Sequence, residues 1–251
     1  MEYDHWNVNI GRTVGTWIFR KFLKTQNRLT PYDFLNITKM IFPNIKYFKP
    51  KVVNLRYSPK DAGVEEYKKH IKFHIFQITR SNFNRILDRE IDQFKTKVNL
   101  GAGLTYIYGE TLLHFYDDFS KIVKKWKSVV AKPPAEVYYD DFLSFCIYSA
   151  GYFEKNPYIS FTININSDIW LEKVSKVNED TFQHYDNKEL ASLNSKALLS
   201  ILEHVNKTFK PDEIETWSEI DQEACEKNLP NKLVTETGFD QERIKEFWGE
   251  R

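Results

Sequence analysis

The sequence predicts an α+β fold, helix-rich, in which an antiparallel sheet is packed by long amphipathic helices. Three observations carry this prediction. Asn187 to Lys207 places Leu190, Leu193, Leu198, Ile201, Leu202 and Val205 on one helical face. Tyr158 to Asn166 alternates instead, with Ile159, Phe161, Ile163 and Ile165 on one side and Ser160, Thr162, Asn164 and Asn166 on the other, the pattern of a strand. The chain is 251 residues long, 41% hydrophobic and 28% charged, so it has enough interior to fold without disulfides or metal. Its 19 Phe, 14 Tyr and 6 Trp stand against 9 Gly, 9 Pro and 2 Met, as in a large aromatic core or an aromatic contact surface.

The elements follow in order. Thr13 to Lys24 sets Val14, Trp17, Ile18 and Phe22 at helical spacing, which predicts a first helix. Thr30-Pro31 reads as an N-cap with proline at the first helical position, opening a second helix from Tyr32 to Ile41 that stops at Phe42-Pro43. Val52 to Tyr57 is a short extended piece between connecting residues, and His70 to Ile78 reads equally as strand or helix. Ser81 can cap a helix to Val98, with Phe83, Ile86, Leu87, Phe94 and Val98 in one stripe and Arg85, Asp88, Arg89 and Asp92 towards water. Gly101 and Gly103 end it, Leu104 to Tyr108 follows as a short strand, and a further amphipathic helix is expected from about Glu110 to Val130.

Lys132-Pro133-Pro134 is the clearest break in the chain. One globular domain over 1–251 is the first expectation, with a possible subdivision into a helix-rich part, 1–131, and a sheet-plus-helix part, 135–251. In the second part Glu136 to Tyr152 is aromatic-rich, the Tyr158 strand follows, and Asp186 or Asn187 caps the long helix. The tail holds Pro211 to Ile220, a turn near Leu229-Pro230-Asn231, and a last helix from Asp240 to Trp248.

Charge is nearly balanced at +1 but unevenly placed. Residues 1–60 carry 11 Lys or Arg against Glu2, Asp4 and Asp33, while residues 211–226 carry seven acids. Such ends suit nucleic acid and a basic partner respectively, or are simply solvated. No apolar run resembles a signal peptide or a membrane span, so the expectation is a cytoplasmic protein without a membrane partner. Cys146 and Cys225 show no CxxC spacing, so neither a disulfide framework nor a zinc site is expected.

The chemistry-bearing patterns are sparse. The chain has no GxxxxGK[ST], GxGxxG, GxSxG or HExxH, and Gly101-Ala102-Gly103 reads as a helix stop. His70 and His74 share a face but lack a third ligand, so no metal site is expected. The pairs Asp117-Asp118 and Asp140-Asp141 offer carboxylates for magnesium or acid–base work, yet adjacent acids in a helix point apart. Lys121, Lys124, Lys125, Lys127 and Lys132 around Trp126 make a basic, aromatic patch that suits phosphates and a stacked base, or equally the C-terminal end of a helix dipole. These signals leave no catalytic residue, metal or cofactor to name, and favour a binding protein over an enzyme.

The segments ISFTININSDIW and YDNKELASLNSKALLSILEHV, within Tyr158 to Val205, resemble bacterial toxin-immunity proteins. That resemblance covers about 50 residues: a strand running into S-D-I-W, and a D-N-x-E-L-A-x-L-N opening to a helix. It implies a cytoplasmic inhibitor that neutralises a cognate toxin or effector by covering it. On this reading Asp168, Trp170, Tyr185 and Asp186 gather at the strand end as an aromatic anchor beside acids. Asp212, Glu213 and Glu215, with the rest of the acidic run, add steering towards a basic partner. Structural roles serve the same residues: Asp168 and Asp186 as turn and helix caps, Trp170 as a core edge. The alternative function is a nucleic-acid-associated protein or nuclease-type enzyme using the basic N-terminal half.

Overall fold

A computed structural model describes residues 13–24, 31–59, 72–77, 82–95, 100–115, 135–150, 156–178, 181–218 and 233–249. Seven strands form one sheet in the order β3-β2-β4-β5-β6-β1-β9, and every neighbouring pair is antiparallel. The strands are β1 (Gly15–Phe22), β2 (Phe48–Pro59), β3 (Lys72–Gln77), β4 (Leu100–Phe115), β5 (Ala135–Ala150), β6 (Tyr158–Ile165) and β9 (Glu213–Trp217). Between β6 and β9 lie a 3-10 turn at Asp168–Trp170, a hairpin of β7 (Lys173–Asn178) and β8 (Thr181–Asp186), and the long helix Lys188–Phe209. A small hairpin, β10 (Val234–Thr235) and β11 (Gly238–Phe239), precedes the last helix, Gln241–Gly249. Among the described residues the helices, in chain order, are α1 (Pro31–Ile41), α2 (Phe83–Lys95), α3 (Lys188–Phe209) and α4 (Gln241–Gly249). The architecture is thus α+β, and the sheet takes strands from both sides of Lys132-Pro133-Pro134.

Two expected helices are corrected. Thr13 to Lys24 contains strand β1, because Thr16, Trp17, Ile18 and Phe19 are β-branched or aromatic residues suited to a pleated surface. Trp17 and Phe19 are buried on one face, and the separations of four among Val14, Ile18 and Phe22 fit either period. Likewise Glu110 to Phe115 continues β4 instead of opening a helix: Thr111 and Leu113 alternate into the core and pair with β5. Gly101 and Gly103 lie within that strand. The rest of the expected helix, with its lysine patch, and the Leu229-Pro230-Asn231 turn lie outside the described residues. Of His70 to Ile78, the described residues Lys72–Gln77 form strand β3, and the helices expected near Tyr32, Ser81, Asn187 and Asp240 are α1, α2, α3 and α4.

Helices α1 and α3 cover one face of the sheet. On that face β6 presents Ile159, Phe161, Ile163 and Ile165, each 3% exposed or less, opposite Trp17 and Phe19 of β1 and Phe145 and Ile147 of β5. Phe42, just after α1, sits 4.9 Å from Phe145 and 6.0 Å from Phe161, while Phe209 at the end of α3 lies 6.0 Å from Phe161. Tilted and edge-to-face rings at these distances satisfy the ring quadrupole, adding to roughly 2–3 kcal/mol of burial for each side chain.

Polar groups inside this layer replace backbone partners. Asn194, fully buried on α3, accepts the His114 N–H (2.7 Å) and donates to the His114 carbonyl (3.3 Å), so its amide stands in for a strand neighbour just past the last bond to the β2 side, Leu112 N–H to the Tyr47 carbonyl. His204 Nε2 bonds the Ile41 carbonyl (2.9 Å), tying α3 to the C-terminal end of α1. Lys210 closes α3 at φ 52°, a left-handed position where a Cβ is unfavourable, while its N–H reaches the Asn206 carbonyl. Lys210→Gly is therefore expected to stabilise the protein by about 0.5–1 kcal/mol, read as a higher urea midpoint; an unchanged or lower midpoint contradicts this.

Candidate functional site

The opposite face of the sheet carries a different chemistry. Strand register sets its rows. Glu213, Arg20, Ser160 and Tyr148 share one row; Glu215, Ile18, Thr162, Cys146 and Tyr106 the next; Trp217, Thr16, Asn164, Ser144 and Tyr108 the third. Phe22 pairs with Tyr158 at one end. Small hydroxyl and amide side chains fill the middle, and Ser160, Thr162 and Cys146 are buried between larger neighbours. Aromatic rings surround them: Phe22 and Tyr158 meet edge-to-face at 6.3 Å, Tyr148 and Tyr158 at 6.5 Å, and Tyr106 and Tyr108 stack at 6.1 Å.

The β1–β9 edge of this face concentrates charge. Arg20 bonds the Glu215 carboxylate, lies 3.5 Å from that of Glu213, and holds its guanidinium 5.5 Å from the centre of the Tyr158 ring. Burial alone would lower its pKa, but the Glu215 and Glu213 carboxylates outweigh that and leave it raised. Asp212 accepts the Phe22 N–H (2.8 Å), and its own N–H reaches the Arg20 carbonyl. Lys21, on the other side of β1, donates to the Phe209 carbonyl at the end of α3, where the helix dipole favours a cation. Phe22 is 47% and Trp217 42% exposed, so two apolar rings bracket an ion-paired centre. Thr16, opposite Trp217, and Phe22 are six positions apart on β1, roughly 20 Å by strand rise.

No protein-family model, curated protein or solved structure matches the chain.

The residues singled out from the sequence fall into two groups. Asp212, Glu213 and Glu215 join the edge just described. Asp168, Trp170 and Asp186 lie at the other end of α3: Asp186 Oδ1 accepts the Lys188 N–H (3.0 Å), and buried Asn187 donates to the Ile169 and Leu171 carbonyls, both at 3.0 Å. Trp170 is 1% exposed, within the core, and Ser167 caps the 3-10 turn. Tyr185 belongs to β8 opposite Val174. The 22 residues of α3 separate the groups by roughly 33 Å, so they are not one patch.

Sequence reasoning missed Phe22, Arg20, Trp217 and Tyr158. The signal was present in the alternation of Thr16, Ile18, Arg20 and Phe22 against Trp17 and Phe19, and of Glu213 and Glu215 in the tail, both of period two. Among the described residues, no three His, Cys, Asp or Glu side chains are grouped to hold a metal, and no helix is long and apolar enough to cross a membrane. His74 lies on β3 and Asp140-Asp141 on β5, with Asp140 opposite Glu110. His70, Asp117-Asp118 and Cys225 lie outside the described residues.

Proposed function

We propose that the chain is a non-enzymatic protein-binding protein, an inhibitor or immunity protein that neutralises a cognate toxin or effector in the cytoplasm by covering it. The observation that carries this reading is the β1–β9 edge, where exposed Phe22 and Trp217 bracket Arg20, Glu213 and Glu215 on the sheet face away from α1 and α3. Exposed aromatic rings beside arginine are the side chains that dominate protein interfaces, since they bury much area at little entropic cost. Asp212, Glu213 and Glu215 outnumber Arg20 there and favour a partner with a basic surface. Trp170, with Asp168 and Asp186, acts on this reading as the structural support of α3.

The test is affinity capture from native cells with and without nuclease, comparing the wild type with Trp217→Ala and Phe22→Ala. One stoichiometric, nuclease-resistant protein is expected on the wild type. Each substitution is expected to weaken its binding by about 1–2 kcal/mol, roughly 5- to 30-fold, with the unfolding midpoint unchanged. Capture of nucleic acid alone, or of the same protein equally by all three, defeats the proposal.

A further inference from the structure

We propose that Asp212 is the positioning residue of the exposed Phe22 ring: its carboxylate stands in for a strand partner at the end of β1 and fixes the backbone from which that ring projects. The inference deepens the proposed function and rests on its reading of Phe22 as an interface anchor.

The β1–β9 ladder ends before Phe22. Its last pair is Arg20 with Glu213, so the same register would set Lys21 against Asp212 and Phe22 against Pro211. Proline has no N–H to give, and Lys210 just before it, at φ 52°, carries the chain over from α3. On its other side β1 remains paired: Phe22 stands opposite Tyr158 of β6, and the Leu23 N–H reaches the Pro157 carbonyl (2.8 Å). Successive amides of a strand point to opposite edges, so the Phe22 N–H is directed towards β9, beyond the last ladder pair.

Asp212 meets both groups that β1 presents there. Its N–H donates to the Arg20 carbonyl (2.8 Å), and its Oδ2 accepts the Phe22 N–H (2.8 Å). A carbonyl and the N–H two residues on share one edge of a strand, so a single residue supplies the donor and the acceptor of a ladder neighbour. Aspartate can do this because its short side chain brings an oxygen within reach of nearby backbone N–H groups. What the bond holds is the exposed anchor: the Phe22 ring meets Tyr158 edge-to-face at 6.3 Å, and the Arg20 guanidinium lies 5.5 Å from the centre of the same Tyr158 ring. Strand ends fray where their amides lack bonds, and a ring held in place before contact loses less freedom on binding. The Asp212 carboxylate thus serves its own backbone, and the charge offered to a basic partner is that of Glu213 and Glu215 against Arg20.

Native-state amide hydrogen exchange on the full chain tests this with Asp212→Ala, Asp212→Asn and Glu213→Gln. Asparagine keeps an acceptor oxygen and removes the charge, whereas alanine removes both. Exchange at the Phe22 amide is expected to rise roughly tenfold in Asp212→Ala and to stay within about threefold of wild type in the other two, with the Trp17 and Phe19 amides unchanged. In capture from native cells, Asp212→Asn is expected to retain the partner as the wild type does, and Asp212→Ala to retain roughly three- to tenfold less. The proposal is overturned if the Phe22 amide keeps its wild-type rate in Asp212→Ala, if asparagine accelerates it as much as alanine, or if Trp17 and Phe19 accelerate in step. Equal loss of capture in both Asp212 variants would make the charge itself the contact, and also overturns it. If the wild type captures no protein, the proposed function fails, while the exchange rates still decide how Phe22 is held.

Discussion

Gly109→Ala is expected to destabilise the protein by more than about 3 kcal/mol, a large part of the margin of an ordinary domain, and to abolish most soluble yield. The reason is a contact between backbones. A Cβ on Gly109 would lie 2.0 Å from the Lys49 carbonyl oxygen, and 2.8 Å from both the Lys49 carbonyl carbon and the Phe48 ring. No rotamer relieves a clash with a carbonyl, so β2 and β4 would have to part. They meet there under constraint, because the register of β4 shifts against β2 between Pro50 and Val52 and against β5 between Tyr108 and Glu110. Glycine lets β4 pass between two irregular neighbours and continue to Phe115. Urea unfolding of the purified variant, with soluble yield as a second readout, checks this; a midpoint within error of the wild type contradicts the assignment.

That same passage explains which parts of the fold were legible. Elements whose buried side chains follow one period without ambiguity, β6 and α3, read correctly from the sequence. β1 and the second half of β4 did not, because Gly15 to Phe22 and Glu110 to Phe115 place apolar residues at separations that fit a helix as well as a strand. Pairing partners decide such segments: β1 lies between β6 and β9, and Ile165 and Trp217 are far from it in sequence. The candidate site shows the same limit. Its acids stood out in the tail as an excess of charge, but the arginine between Glu213 and Glu215 comes from β1, 195 positions from Glu215, and nothing local to either segment announces the pair. Trp170 stood out for its aromatic ring beside acids, yet position along the chain does not tell a core tryptophan from an exposed one. Asn194 gave no signal, since its partner is the far end of β4, just past the last bond to the β2 side.

Phe161→Ala is expected to cost about 3–5 kcal/mol, the range for removing a fully buried phenylalanine from a packed core. Phe161 touches rings from three other elements: Phe42 after α1, Phe145 on β5 at 5.7 Å and Phe209 at the end of α3. No single neighbour can collapse into the space it leaves without losing its own contacts, so most of the cavity persists. Phe145→Ala alone should cost a similar amount, and the double variant should cost less than the two together by about 0.5–3 kcal/mol, because the rings share one cavity. Urea unfolding of the four proteins measures this coupling, and strict additivity would mean the two sites relax independently. The same series separates fold from function. Phe161 pairs with Phe19, and the next residue along β1 is Arg20, whose side chain lies on the opposite face. On the proposed binding role, loss of Phe161 should therefore weaken capture of the partner only as far as it raises the unfolded fraction, whereas Trp217→Ala should weaken it at full stability. Binding that falls in Phe161→Ala well before unfolding would place the core, and not the exposed rings, in control of the β1–β9 edge.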